Sequence, residues 1–135
     1  MFSFSRLAIF SLLAATGALA ESHTVTFENK CGKGTPQLLQ NGKTLSTGGS
    51  CGLNGEGCTL VETTLKNPTT AGSGSSSDIS LIPPHTFSVA SGFRYENGCD
   101  GSDANCPDAF RKPNDTNVQV ACQADNVNLV ITFCE

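Results

Sequence analysis

Asn126-Val-Asn-Leu-Val-Ile-Thr-Phe-Cys134 carries the strongest apolar character in the chain after its first twenty residues. Val127, Leu129, Ile131 and Phe133 fall on one side of a period-two strand, and Val130 and Cys134 share the other side with Asn128 and Thr132. Both faces therefore carry groups suited to burial, the mark of a central strand with the fold packed on either side. The natural partner is Thr24-Val-Thr-Phe-Glu-Asn-Lys-Cys31, which alternates in the same way and also ends in cysteine. A Cys31 to Cys134 disulfide would tie down a terminus that otherwise frays and close nearly the whole chain into one loop.

Residues 1–20 read as a secretory leader: Arg6, the apolar run Leu7-Ala-Ile-Phe-Ser-Leu-Leu-Ala-Ala, and the small-residue site Ala18-Leu-Ala20, with cleavage expected after Ala20. The run is well short of the roughly twenty apolar residues a spanning helix needs, so no membrane anchor is expected. Residues 21–135 then form one domain of about 115 residues, enough to bury a single core. Seven cysteines in a short exported chain point to a disulfide framework. With no Cys-x-x-Cys pair and only His23 and His85 to add nitrogen ligands, neither a metal nor another cofactor is expected. Loss of Arg6 leaves seven basic against twelve acidic side chains and no basic cluster, which argues against nucleic acid and anionic lipid as partners.

The remaining chain is rich in Gly, Ser, Thr and Asn, lacks tryptophan and shows no helical period, so the reading is all-β. Asn41-Gly42 inside Gln37–Leu45 is a type I′ hairpin signal, because both residues tolerate positive φ. The glycine-rich loop Ser46–Cys58 follows, with Cys51 and Cys58 near enough to cross-link it. Further strands are expected at Thr59–Leu65, Asp78–Ile82, Thr86–Tyr95 and Asn117–Cys122. Thr69–Ser77 reads as a Gly/Ser loop, Pro83-Pro84 as a strand terminator, and Asn97–Asn105 as a second turn-rich loop. Short alternating strands separated by turns imply a sandwich or barrel.

Asp78-Ile-Ser-Leu, Asn97-Gly-Cys99, Cys106-Pro-Asp-Ala-Phe110, Val120-Ala-Cys122 and Val130-Ile-Thr-Phe-Cys134 occur in an order that resembles the C-terminal half of the thaumatin-like proteins. Thr26–Cys31 resembles that family's opening strand, and Thr59–Leu65 the strand bearing one of its acidic-cleft residues. The resemblance runs from about Thr24 to Cys134 and implies a disulfide-stapled antiparallel β-sandwich of thaumatin-like type. It is nearest to the small secreted fungal-type form. Full-length members carry a cysteine-rich loop domain between the equivalents of Cys99 and Cys106; here six residues separate the two, so that domain is missing. The segment before Cys51 is also short, which leaves the sandwich incomplete at one edge.

The family's acidic cleft uses one arginine and four carboxylates. By resemblance Glu62 stands at its glutamate and Asp78 at its first aspartate, while Pro83-Pro84 occupy the region of the next and neither Arg94 nor Arg111 matches its arginine. Asp108 and Asp115 both fall in the region of the last carboxylate, without a choice between them. Two carboxylates across a groove can act as acid and base, or acid and nucleophile, in glycoside hydrolysis. The plainer reading makes Glu62 and Asp78 solvated or locally capping groups. Ser80, His85 and Asp78 lack the elbow motif of a hydrolase triad, and Phe87, Phe93 and Tyr95 suit a core better than a sugar platform. Asn114-Asp-Thr116 is a glycosylation sequon in an expected loop.

Three bridges follow by position: Cys31–Cys134, Cys51–Cys58 and Cys99–Cys122, leaving Cys106 as a free thiol. In the family the cysteine at the place of Cys106 resembles one half of a bridge into the missing loop domain. The rival pair, Cys99 with Cys106, closes a much shorter loop and removes about 1 kcal/mol less unfolded-state entropy. The resemblance implies a secreted, wall-acting, monomeric module that binds β-glucan without efficient catalysis. The alternatives are a weak endo-β-1,3-glucanase using Glu62 and Asp78, and a disulfide-stabilised structural or defence protein with a vestigial cleft.

Overall fold

The computed structural model describes residues 20–46, 48–99 and 119–135. The eight strands in them are β1 (Val25–Asn29), β2 (Leu38–Gln40), β3 (Lys43–Ser46), β4 (Leu60–Thr64), β5 (Ser75–Ser80), β6 (Ser91–Glu96), β7 (Val120–Cys122) and β8 (Asn128–Phe133). A single turn of 3-10 helix spans Leu53–Gly55. The expected leader up to residue 19, Arg111, the sequon at Asn114, Asp108, Asp115 and Cys106 lie outside the described residues.

β8 is central: it runs between β1, to which it is parallel, and β6, to which it is antiparallel. Because β1 and β8 are the first and last strands, their parallel pairing makes the intervening chain one long crossover. The second sheet has the order β4-β5-β7, all antiparallel, and the β2-β3 hairpin stands apart from both. In that hairpin Asn41 and Gly42 take φ of 50° and 74°, the left-handed pair that the Asn-Gly step supplies at little steric cost.

The core lies between the two three-stranded sheets. Phe93, Tyr95, Leu129 and Ile131 reach it from the first sheet and Ile79 and Cys122 from the second, closed by Val127, with Val25, Phe27, Val61 and Leu65 packed around them. The other face of β8 is also shielded. Arg94 on β6 and Glu28 on β1 pair across it, over the rows of Val130 and Thr132, which are 3% and 2% exposed.

Two expected strands are displaced. β5 begins at Ser75, inside the tract read as a loop, and ends at Ser80, leaving Ile82 in an exposed turn. Ser75 and Ser77 are fully buried because their hydroxyls find partners: Ser75 Oγ accepts from Lys66 N (3.0 Å) and donates to Lys66 O (3.2 Å), and Ser77 Oγ lies 2.7 Å from Thr63 Oγ1. Gly74 opens this strand because a Cβ there would meet the Cys122 carbonyl oxygen at 2.5 Å. The strand expected at Thr86–Tyr95 is the shorter β6. Ahead of it the chain follows the Cys58-Thr59 corner instead: Thr86 N donates to Cys58 O (3.2 Å), Ser88 N to Thr59 Oγ1 (3.0 Å) and Thr59 N to Ser88 Oγ (3.0 Å).

The Tyr95 hydroxyl reaches Ser77 Oγ and the Val120 carbonyl oxygen, each at 2.9 Å, so it links the facing sheets through the core. Burial pushes its ionisation upward, against the opposing effect of the Ser77 bond. Tyr95→Phe is expected to lower stability by about 1–2 kcal/mol, because the buried Ser77 hydroxyl and the half-buried Val120 carbonyl lose this partner. Urea unfolding of the variant measures it, and an unchanged midpoint would remove this role.

Candidate functional site

Glu62 and Asp78 are direct cross-strand partners on β4 and β5. Their neighbours in the ladder alternate as strand geometry requires: Val61 and Ile79 turn to the core, whereas Glu62 with Asp78 and Thr64 with Ser76 turn outward. Opposed residues on one sheet face hold their Cβ atoms roughly 4.5–5.5 Å apart. With Gln119 at the entry to β7, these side chains line a polar groove of about 300 Å³.

Its electrostatics are unusual for a sheet surface. Glu62 is exposed and Asp78 half-buried, and Asp78 is held above the ordinary carboxylate range first by burial and then by the charge of Glu62. Like charges placed directly opposite each other weaken a sheet. No lysine or arginine among the described residues lines the groove to offset them. Arg94 is committed on the far side of the sandwich, where its NH2 group lies 2.5 Å from Glu28 Oε1 and its Nε 3.2 Å from Glu96 Oε1. That pairing draws the Glu28 carboxyl below its usual range and raises the guanidinium further above its own. A local rule broken on an otherwise consistent sheet is where a functional constraint is to be sought.

Of the sequence candidates, the fold therefore brings Glu62 and Asp78 together. Pro83-Pro84, at the place of the family's next aspartate, form an exposed turn. Ser80, His85 and Asp78 do not assemble: His85 Nδ1 faces Gly55 O at 3.1 Å, and Ser80 Oγ accepts from Ile82 N. Phe93 and Tyr95 are core side chains and Phe87 is half-buried, so none of the three offers an open platform to a sugar ring. Thr64, Ser76 and Gln119 are groove residues that sequence reading missed. The first two sit two positions from Glu62 and Asp78, so strand period alone places them on the same face.

A groove lined by two carboxylates, the hydroxyl residues Thr63, Thr64 and Ser76, and an amide offers closely spaced donors and acceptors, the complement of a polyhydroxylated ligand. Among the described residues no group of three or more His, Cys, Asp and Glu side chains converges. No helix in them is long and apolar enough to cross a membrane.

Among curated proteins, the chain is 40% identical over 89 residues to the thaumatin-like pathogenesis-related protein 2 of Avena sativa. The match supports the thaumatin-like family. It takes in 63% of this chain and 46% of the oat protein, so the chain spans about half the length of the thaumatin-like relative it matches. The all-β architecture and its three disulfides, Cys31–Cys134, Cys51–Cys58 and Cys99–Cys122, are consistent with a thaumatin-like sandwich. No family model matches the chain, and no solved structure does.

Proposed function

We propose that the chain is a small secreted thaumatin-like module, of the fungal type without the loop domain, that binds cell-wall β-glucan through the Glu62–Asp78 groove and does not hydrolyse it efficiently. The observation that carries this reading is the pair of unneutralised carboxylates, set directly opposite one another in an open polar groove. Carboxylates accept hydrogen bonds from sugar hydroxyls, and Thr64, Ser76 and Gln119 extend the array along the strands. An open groove does not exclude water from the reacting bond, which is the condition under which an acid and base pair gains most of its power. Three disulfides fit an extracellular site of action, and the oat relative's name places it among pathogenesis-related proteins, which favours a defence role here. On this reading residues 1–20 are removed on export, Asn114 carries glycan, and the module acts as a monomer.

One observation favours a second reading, a weak endo-β-1,3-glucanase. The environments of Glu62 and Asp78 differ, and the raised Asp78 suits a proton donor while the exposed Glu62 suits the base or nucleophile. Incubation with insoluble β-1,3-glucan separates the possibilities. Co-sedimentation without released sugar supports the binding module, released oligosaccharide supports the hydrolase, and neither result leaves a disulfide-stabilised defence protein with a vestigial cleft.

Glu62→Gln is expected to abolish any hydrolysis while leaving binding, because the amide keeps an acceptor in place. Ser76→Tyr fills the groove and is expected to weaken co-sedimentation by about tenfold, ~1.4 kcal/mol. Binding that survives Ser76→Tyr unchanged would move the site away from β4 and β5. Hydrolysis that survives Glu62→Gln would assign the activity to other residues.

A further inference from the structure

We propose that Asn41 is a site of spontaneous backbone modification, where the Gly42 nitrogen attacks the Asn41 side-chain carbonyl and converts the residue to isoaspartate, and that the lengthened turn releases the β2–β3 hairpin. The chain holds three Asn-Gly steps: Asn41-Gly42, Asn54-Gly55 and Asn97-Gly98. Glycine is the successor that hinders this attack least, because no Cβ shields its nitrogen. All three asparagines share a left-handed backbone, with φ of 50°, 59° and 63°. Their surroundings separate them.

Asn41 and Gly42 are both exposed, and a Cβ on Gly42 would meet nothing within 4 Å. They form the loop beyond the last ladder pair, Gln40 with Lys43. At the second step the nucleophile is occupied: Gly55 N donates to Gly52 O (3.1 Å), a Cβ on Gly55 would touch Leu60 and His85, and the Cys51–Cys58 bridge closes the loop around it. At the third the leaving group is occupied. Asn97 Nδ2 donates to Asn126 O (3.0 Å), and Gly98 lies so close to Ala124 that a Cβ would meet the Ala124 Cβ at 2.5 Å. The Cys99–Cys122 bridge holds the next residue.

The attack needs Asn41 to leave its left-handed turn, so the hairpin opens first. β2 and β3 have three and four residues and, among the described residues, pair only with each other. A two-stranded hairpin on its own is marginal in water, so local opening requires little free energy. Base takes the Gly42 N–H proton, the nitrogen bonds to Asn41 Cγ, and the bond from Cγ to Nδ2 breaks with loss of ammonia. Water then opens the cyclic imide. Addition at the former side-chain carbonyl returns aspartate, whereas addition at the main-chain carbonyl leaves the backbone running through Cβ and Cγ as isoaspartate. The net change is amide plus water to carboxylate plus ammonium, with nothing oxidised or reduced. An extra methylene then stands in a turn whose central residues must both hold positive φ, a geometry that does not accommodate it. The damage stays local, because neither three-stranded sheet includes β2 or β3.

Incubating the intact, disulfide-bonded protein in mildly alkaline buffer and mapping its peptides by mass spectrometry tests this. Asn41 should convert at least about tenfold faster than Asn54 and Asn97, the ratio given by ~1.4 kcal/mol of difference in opening. In the reduced, urea-unfolded chain the three rates should converge. The Asn41 product should accept methyl groups from an isoaspartyl carboxyl methyltransferase. In that fraction the cross-strand nuclear Overhauser contact between Leu39 and Thr44, which face each other in the ladder, should vanish, while those between β6 and β8 hold. Asn41→Gly tolerates the same positive φ and has no amide to lose, so its hairpin should persist through the same incubation. Asn54 or Asn97 converting as fast as Asn41 in the folded protein, or an intact hairpin in the isoaspartyl fraction, overturns the proposal.

Discussion

Replacing Cys31 and Cys134 together with serine is expected to lower the free energy of unfolding by about 2–5 kcal/mol. The bridge spans 103 residues, and in the loop-closure model a loop of roughly 100 residues restricts the unfolded chain by about 4.7 kcal/mol. Its position adds a folded-state reason. Among the described residues β1 is an edge strand paired to β8 alone, half-exposed along its length, and the disulfide fastens its C-terminal end beside the bond from Lys30 N to Phe133 O. Without that fastening, the parallel pairing must be held by five residues of ladder and the contacts before Val25.

The Cys51–Cys58 bridge closes a loop with a sequence separation of 7, and the same model makes it worth about 2 kcal/mol less than the long bridge. Urea unfolding of the two double-serine variants gives both values without creating a new unpaired cysteine. Equal losses, or a larger one for Cys51 and Cys58, would refute the topological argument and place the stabilisation in native contacts of the glycine loop.

What could be read from the sequence divides along physical lines. β8 was legible because its alternation is strong on one face and its apolar content continues on the other, and the Asn41-Gly42 hairpin because its turn demands left-handed residues. The three cysteine pairs formed in the structure are those that strand order and loop length suggested, while Cys106 lies outside the described residues. The start of β5 was not legible. Ser75 and Ser77 carry no apolar signal, and their burial depends on the Lys66 backbone, Thr63 and Tyr95, which come near only in the folded chain. The opposite error arose at Phe87 and Val89, whose alternation reads as strand although the local hydrogen bonds run to Thr59. In the groove, Glu62 and Asp78 were visible as candidates, but their being face to face is a matter of register. Gln119 joins them only because β7 lies beside β5, a pairing that no local pattern encodes.

Phe93→Ala is expected to cost about 3–5 kcal/mol, the usual range for deleting a buried aromatic ring. Phe93 is fully buried on β6, pairs across the sheet with Ile131 on β8, and meets the Tyr95 ring edge-on at a centroid distance of 6.0 Å and an interplanar angle of 72°. The two rings belong to the same face of one strand, so together they form the first sheet's largest contribution to the layer between the sheets. Collapse into the vacated space is resisted from both sides. Ile131 sits on the central strand, and Tyr95 is held in place by its bonds to Ser77 and Val120. Phe133 provides the comparison. Its ring stacks on Phe27 at 6.2 Å and 16°, but it is only half-buried at the sheet's end, so Phe133→Ala should cost clearly less. Phe93→Leu restores much of the volume and should return to within about 1.5 kcal/mol of the parent. Denaturant midpoints for the three variants, with unchanged denaturant dependence, fix the order. If Phe133→Ala proved the more damaging, the energetic centre of the fold would lie at the β1–β8 end of the sheet and not between Phe93, Ile131 and Ile79.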